Sequence, residues 1–513
     1  MSQATTTSYD EIPYESTPRF PTHPDCLATL ATLMGMTPAP VDRCRVLELG
    51  CGTGGNLIPM ASTLPESRFV GIDLSGRQIA SGQAIIDAIG LKNLELKAMS
   101  ILDFDESAGP FDYIICHGVY SWVPPEVQDR ILTITSRCLA PQGVAYISYN
   151  IYPGWHQRAA IREMLRFHVR DIADPHERTR QARALVAFLV QATAADDNAY
   201  SRMLREEAEI LSDTQDWYLF HEHLEDNNCP VYCREFMERA AAKGLQYLGD
   251  AVRHMHLADV PPETRNLLKQ IAADLLQLEQ YHDFLRNGTF RRTLLCKTDV
   301  ALNRAPSYRI VDRFWLTGLM RPVSKQPDVR STTAEEFRTQ AGSSASTNIP
   351  EIKAALVHLA EVWPRASRFE DLWNAVQARL TEAPLADVSG IAWDNPGVRR
   401  LAEAMLQFYL TQMVMLHVHA PKLVTEVSER PVASALARWQ AASGAKVASL
   451  RHSIVPVNEF DRQVLPLLDG TRDRTALAAA IAARVANVEP SPDPAAVCDA
   501  SLRRLALLAL LEG

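Results

Sequence analysis

Residues 45–56, RVLELGCGTGGN, constrain the fold more than any other stretch of the chain. An apolar run that stops at a carboxylate and breaks into four closely spaced glycines reads as a strand feeding a tight turn and then a helix. This is how α/β proteins hold a nucleotide-like ligand at the carboxyl end of a strand. The alternation continues downstream. Strands are expected at 45–49, 68–73, 93–98, 111–116 and 143–149, with helices at about 56–64, 75–89 and 125–139 between them. Ser75 suits the N-cap and Gly90 the end of the 75–89 helix. Short connections between alternating elements predict an α/β fold with a mostly parallel, doubly wound, Rossmann-like sheet.

Gly50, Gly52 and Gly55 also spell G-x-G-x-x-G, a dinucleotide pattern, so the ligand must be decided by the neighbours. Glu48 makes the turn E-x-G-x-G-x-G, and a fixed carboxylate there would repel a pyrophosphate. S-adenosylmethionine has no phosphate and carries an ammonium and a sulfonium, so the same carboxylate attracts it. Asp73 ends the second strand, where an acid can accept both ribose hydroxyls, a feature that NAD sites share. After the third strand, AMSILDF offers Met99, Ser100 and Ile101 near an adenine, through the backbone or the Ser100 hydroxyl. The cofactor-binding set is therefore Glu48, Gly50, Cys51, Gly52, Asp73, Leu74, Ser100 and Ile101. His117 either touches the adenine or caps its loop, and Tyr14 with Tyr9 would form a lid over the methionine end.

With 513 residues, 47% of them hydrophobic, the chain has material for two to four domains. A net charge of −9 argues against a broad basic surface and hence against nucleic acid as the main partner. Nine scattered cysteines without a C-x-x-C pair read as reduced thiols of a cytoplasmic protein, and no signal peptide or membrane span is visible. Residues 1–40 read as an arm or lid that packs on something rather than a core, 41–155 as the ligand-binding core, and 156–300 as a helical middle domain. Long helical stretches are expected there at about 156–194, 199–212 and 233–243, and strands 244–251 and 290–297 would close the sheet edge. The polar segment 322–348 reads as a linker or exposed loop. Residues 301–420, with WPRASRFEDLWNAV, and 421–513, with FDRQVLPLLDGTRDRTALAAAIAARV, suggest winged-helix-like modules.

Over residues 40–150 the chain resembles class I S-adenosylmethionine-dependent methyltransferases, on the Glu48–Gly54 turn and Asp73. A narrower likeness covers most of its length. YDEIPYES, THPD, HGVYSWVP, SYNIYPGW, YLFHEHLEDNNCPVYCREFMERAAAKGLQYLGDA and YHDFLRNGTFRRTLLC together look like bacterial methyltransferases with a methyltransferase regulatory domain. That group includes rickettsial outer-membrane-protein lysine methyltransferases. The resemblance implies a methyltransferase core, a helical middle domain, a C-terminal region of winged-helix character, and lysine as the methylated residue; an outer-membrane or surface protein is expected as acceptor, though the resemblance does not by itself carry over the substrate. A homodimer is also expected.

In an open sheet the loops after the fourth and fifth strands face the ligand, and here they are HGVYSWVPP and NIYPGW. Methyl transfer needs an aligned neutral nucleophile, and aromatic faces and amide oxygens can orient it and stabilise the charge that forms. Tyr120, Trp122, Tyr149, Asn150, Tyr152 and Trp155 are the candidate catalytic residues. A lysine can lose its proton by desolvation in such a pocket, without a dedicated base. The (D/N)-P-P-Y element of many adenine and glutamine amide methyltransferases is absent after strand four. No metal is expected: the pairs His221/His223 and His254/His256 lack zinc spacing, as do Cys229 and Cys233. Glu206, Glu207 and Glu209 read as a solvated helix face. The leading expectation is a protein lysine N-methyltransferase. A small-molecule N- or O-methyltransferase and a noncatalytic cofactor sensor are its alternatives, and a dehydrogenase comes last because of Glu48.

Overall fold

RVLEL forms β1 (Arg45–Leu49), and Val46, Leu47 and Leu49 are sealed from solvent on both faces, as a central parallel strand requires. A computed structural model describes residues 11, 12, 14–252, 260–382, 390–485 and 493–512. Around β1 pair β2 (Arg68–Asp73), β3 (Leu94–Ala98), β4 (Phe111–Cys116) and β5 (Leu139–Asn150), all parallel. β6 (Leu245–Asp250) and β7 (Phe290–Lys297) complete a seven-stranded sheet of order β3-β2-β1-β4-β5-β7-β6, with β7 antiparallel to both neighbours. The strand order reverses between β1 and β4, which opens a crevice at their carboxyl ends.

Four helices flank the first five strands: α1 (Pro24–Leu33), α2 (Leu57–Thr63), α3 (Gly76–Ile89) and α4 (Pro125–Cys138). The Ser75 side chain accepts from the Gln78 amide at the start of α3, and Gly90 ends it in the left-handed region. α1 falls where a helix is expected at about 24–34, but it departs from the reading of residues 1–40 as an arm that packs on something rather than a core. PDCLATLATL has almost no polar face, so it is buried nearly all round and joins the core under the sheet.

The helical stretch 156–194 resolves into two helices. α5 (Gly154–Val169) and α6 (Pro175–Ala192) break at Asp174, whose side chain accepts from the Glu177 amide while Pro175 occupies the first helical turn. α7 (Ala199–Asp213) follows, and then α8 (Asp216–Leu219) runs into a π-helical turn, Phe220–Leu224. α9 (Cys233–Ala241) leads into β6, and α10 (Pro262–Ile271) and α11 (Leu275–Arg286) lie between β6 and β7.

Segment 322–348 is not a linker. After β8 (Trp315–Gly318), the strands β9 (Met320–Pro322), β10 (Glu335–Thr339) and β11 (Ser344–Thr347) form a three-stranded antiparallel sheet over the buried ring of Phe337. The ammonium of buried Lys353, on α12 (Pro350–Val362), donates to the carbonyls of Asp328, Ser331 and Thr333 at 2.5, 2.8 and 2.8 Å. The segment is held largely through its backbone, which composition does not reveal. Beyond it lie α13 (Phe369–Thr381), α14 (Pro396–Leu410) and a second small sheet in which β12 (Ser367–Arg368) and β13 (Val414–His417) flank β8. The C-terminal module has its own apolar core. It comprises β14 (Val432–Ala433), α15 (Ala435–Ser443), the β15 (Lys446–Ala448) and β16 (Ile454–Pro456) hairpin, α16 (Glu459–Val464), α17 (Arg474–Val485), α18 (Pro494–Leu507) and β17 (Leu511–Glu512).

Candidate functional site

The glycine turn leaves β1 through Gly50, Gly52 and Gly54, all at positive φ, a conformation that glycine adopts without strain. The Gly50 and Cys51 amides donate to the Ile72 carbonyl, and the Gly52 amide donates to Asp73 Oδ2 at 2.8 Å. Asp73 Oδ1 accepts from the Ser75 amide at 2.9 Å, so this acid braces the turn and the start of α3 together. Glu48 is buried beside the turn. Its Oε1 accepts from Asn56 Nδ2 at 2.8 Å, while Oε2 has no hydrogen-bond partner among the described residues. Burial pushes its carboxyl up to about 8, against the Asn56 hydrogen bond and with the help of the Asp73 charge. A buried acceptor oxygen left unspent suits a cationic ligand group and not a pyrophosphate, so the residues present fit S-adenosylmethionine.

At the other end of the crevice, Leu74 and Leu102 stand exposed on the loops after β2 and β3. Between them in the chain, the Ser100 hydroxyl accepts from the Leu102 amide and so starts a short turn over Ile101–Asp103. Two bare leucines beside polar backbone can accept a flat aromatic base. His117, after β4, lies 2.9 Å from the Tyr146 hydroxyl through Nδ1 and edge-on to Phe290. Burial lowers it to about 3, so it is neutral at physiological pH. The Cys51 thiol is held well above its ordinary range by burial and stays protonated.

Residues 14–19 cross the glycine turn. Ser16 Oγ accepts from the Gly55 amide at 3.0 Å, and a Cβ on Gly55 would meet the Ser16 carbonyl at 2.0 Å. Tyr14 packs edge-on to Trp217 at 4.7 Å and to His221 at 5.9 Å, so this segment bridges the turn and the π-helical turn. Tyr9 lies outside the described residues, as do His254 and His256.

The aromatic loops divide into wall and mouth. Tyr120 and Tyr149 are fully buried; both pack on Phe236, and the Tyr149 hydroxyl bonds Thr293 Oγ1. Packing accounts for both rings. Trp122 is half-buried and meets the buried Trp155 edge-on at 6.0 Å, and Trp155 Nε1 has no acceptor among the described residues. The Asn150 amide nitrogen of the side chain donates to Asn228 at 3.0 Å, and its backbone N–H to Ser121 Oγ. Tyr152 stacks on His156 at 4.0 Å and continues outward to Tyr232.

Sequence reasoning missed several neighbours of this crevice. Glu207, expected on a solvated face, is buried between Arg158 at 3.5 Å and His223 Nε2 at 3.1 Å, because α7 turns that side of its charge run inward against α5 and the π-turn. His221 donates through Nε2 to the Ile12 carbonyl at 2.6 Å and faces Glu225 through Nδ1. Glu222, between the two histidines, is half-buried, makes no hydrogen bond with a described residue, and is pushed up to about 7 by burial. Arg158 lies over the Trp155 ring at 5.3 Å and Arg162 lies 6.0 Å from that of Trp122. No spacing in the sequence marks these groups, since arm, α5, α7 and the π-turn meet only in the fold. Asn56, which holds Glu48, was legible only as the residue closing the glycine turn.

Comparison with known proteins matches residues 46–143 to the family described as "Methyltransferase domain". Residues 215–297 match "Predicted methyltransferase regulatory domain", and 429–511 match "PKMT, C-terminal winged helix domain". An uncharacterized protein of Rickettsia prowazekii (strain Madrid E) is 36% identical over 485 residues, covering 93% of this chain and 86% of its own. The solved structure of PKMT2 from Rickettsia typhi covers 98% of this chain and 100% of its own at 30% identity, with a TM-score of 0.84. The same protein in complex with AdoHcy gives 0.86.

Proposed function

Since the chain belongs to the family of bacterial S-adenosylmethionine-dependent methyltransferases that join a regulatory domain to a PKMT-type C-terminal winged helix, we propose that it methylates lysine side chains of a protein. The observation that carries the chemistry is the buried Glu48 carboxyl with one oxygen unspent, at the crevice where the strand order reverses. S-adenosylmethionine supplies an activated methyl group there. Glu48 binds its ammonium, Asp73 its ribose hydroxyls, and the Leu74, Ser100–Ile101 and Leu102 rim its adenine, with Gly50, Cys51 and Gly52 lining the turn and Tyr14 over the methionine end.

The acceptor side is built from Trp122, Trp155, Asn150 and Tyr152, over a wall of Tyr120 and Tyr149. An amine entering this aromatic mouth is stripped of water, which favours its neutral, nucleophilic form. Glu222, whose carboxyl titrates near 7, takes up the proton that the ammonium gives up. The acceptor is a lysine of a bacterial outer-membrane or surface protein, methylated in the cytoplasm; the family likeness and the free, mostly buried cysteines support this reading. Among the described residues no helix is long and apolar enough to cross a membrane.

The test is to incubate the purified protein with methyl-labelled S-adenosylmethionine and a cell lysate plus envelope fraction. The label is then located by size and by amino-acid analysis. Methyl-lysine in a protein band is the expected result, and label confined to small molecules would reject the protein acceptor.

A further inference from the structure

The C-terminal module reaches the residue that holds Glu48 through the side chain of His452. His452 lies in the β15–β16 turn at φ +55° and is buried, with its ring 5.2 Å from that of His23. Its Nε2 donates to Asn56 Oδ1 at 2.9 Å. The Asn56 amide is saturated. Oδ1 also accepts from the Arg19 backbone N–H at 2.9 Å, while Nδ2 donates to Glu48 Oε1 at 2.8 Å and to Thr22 Oγ1 at 3.0 Å. The Thr22 hydroxyl has its proton within reach of the Arg19 carbonyl at 2.8 Å and of Asn56 Oδ1 at 3.2 Å, and with either acceptor its oxygen still accepts from Asn56 Nδ2. Donors therefore surround the amide oxygen and acceptors surround the nitrogen, and the amide has one stable orientation.

We infer that His452 is a positioning residue for the methyl donor: by fixing the Asn56 amide, the winged-helix module fixes Glu48, so that docking of the module and binding of the donor favour each other. This rests on the reading of Glu48 as the ligand's ammonium partner. The geometry supports a coupling and not mere adhesion. A left-handed backbone at a non-glycine residue is a strained conformation, kept where the surroundings over-determine it. Here it delivers the imidazole to Asn56, which holds Glu48. Apolar contact between module and core is supplied separately, by Leu436 and Ala448 in the shared cluster. Burial holds both His23 and His452 below their ordinary range, so neutral imidazole is the donor. Coupling of this kind is reciprocal.

The experiment measures S-adenosylhomocysteine binding by calorimetry on the full-length protein, its His452→Ala and His452→Gln variants, Glu48→Gln, and the double variant. Ala and Gln bear the same backbone strain at position 452, but only glutamine can replace the donated hydrogen bond. His452→Ala is expected to raise Kd about three- to tenfold, the worth of one hydrogen bond, and His452→Gln to restore it. In the Glu48→Gln background His452→Ala should add nothing. Equal weakening by Ala and Gln, or effects that multiply in the double variant, would mean a purely structural role and overturn the proposal. A second measurement needs no variant: S-adenosylhomocysteine should slow amide hydrogen exchange at 449–453, and unchanged exchange there overturns the coupling. If the unmodified protein binds no S-adenosylhomocysteine, the donor-site reading itself fails, a result distinct from the others.

Discussion

Glu48 carries a protonation equilibrium that ties binding to pH. Its folded carboxyl titrates near 8, while an exposed one titrates near 4.5, so the ligand-free protein retains a proton there at neutral pH. The stability this gives is present below 4.5 and is lost as pH rises through about 8. A cationic ligand favours the ionised form, so binding releases the proton. S-adenosylhomocysteine affinity should accordingly fall as pH drops below about 8. Glu48→Gln should weaken binding by about 10- to 100-fold, the loss of a charge-assisted hydrogen bond, and flatten the pH dependence, which calorimetry between pH 6 and 9 would read. Glu222 titrates near 7, and the proposed function gives it the proton of the acceptor ammonium. Glu222→Gln should remove the inflection near pH 7 from kcat/KM and lower it at least about tenfold, with donor affinity unchanged.

At the scale of elements, the segment over the glycine turn is set by contact distance. A methyl group at position 55 would lie 2.0 Å from the Ser16 carbonyl, which is backbone and cannot swing aside. Gly55→Ala should therefore lift residues 14–19, take Tyr14 off Trp217 and His221, and expose the segment to protease. Methyl transfer should drop about tenfold or more while the thermal transition moves little, because the strands beneath stay packed. Limited proteolysis together with a transfer assay checks this. The break at Asp174 and the sheet made from 322–348 belong to this scale as well. The first was legible in Asp-Pro-x-Glu, a cap and first-turn signal within a helical stretch. The second was not, because three backbone carbonyls on one lysine leave no compositional mark.

In the whole molecule one apolar cluster runs from α1 and the sheet into the segment carrying β8 to β13, with the C-terminal module built around a core of its own. Asp25 on α1 fastens the first union: its Oδ2 lies 2.7 Å from His417 Nδ1, and Oδ1 accepts from the His419 amide at 2.8 Å. Asp25→Ala would leave a buried imidazole and a part-buried amide unpaired. The main unfolding transition should lose about 3 kcal/mol, measured by urea denaturation followed by tryptophan fluorescence. An unchanged midpoint would show that apolar packing alone joins these parts.

By itself the sequence determined the doubly wound sheet, the glycine turn and the acid beside it. Those depend on local periodicity, on backbone conformations that glycine tolerates, and on the sign of a charge next to a ligand. Only the tertiary structure decided which aromatics are buried and which stay half-exposed, that Glu207 is buried, that Glu222 lies near Arg158, Arg162 and His221, and that His452 reaches Asn56. Those depend on contacts between residues far apart in the chain, such as Asn56 and His452, whose numbers differ by 396. No local pattern encodes a contact of that span, because the packing of apolar faces sets where the polar groups come to rest.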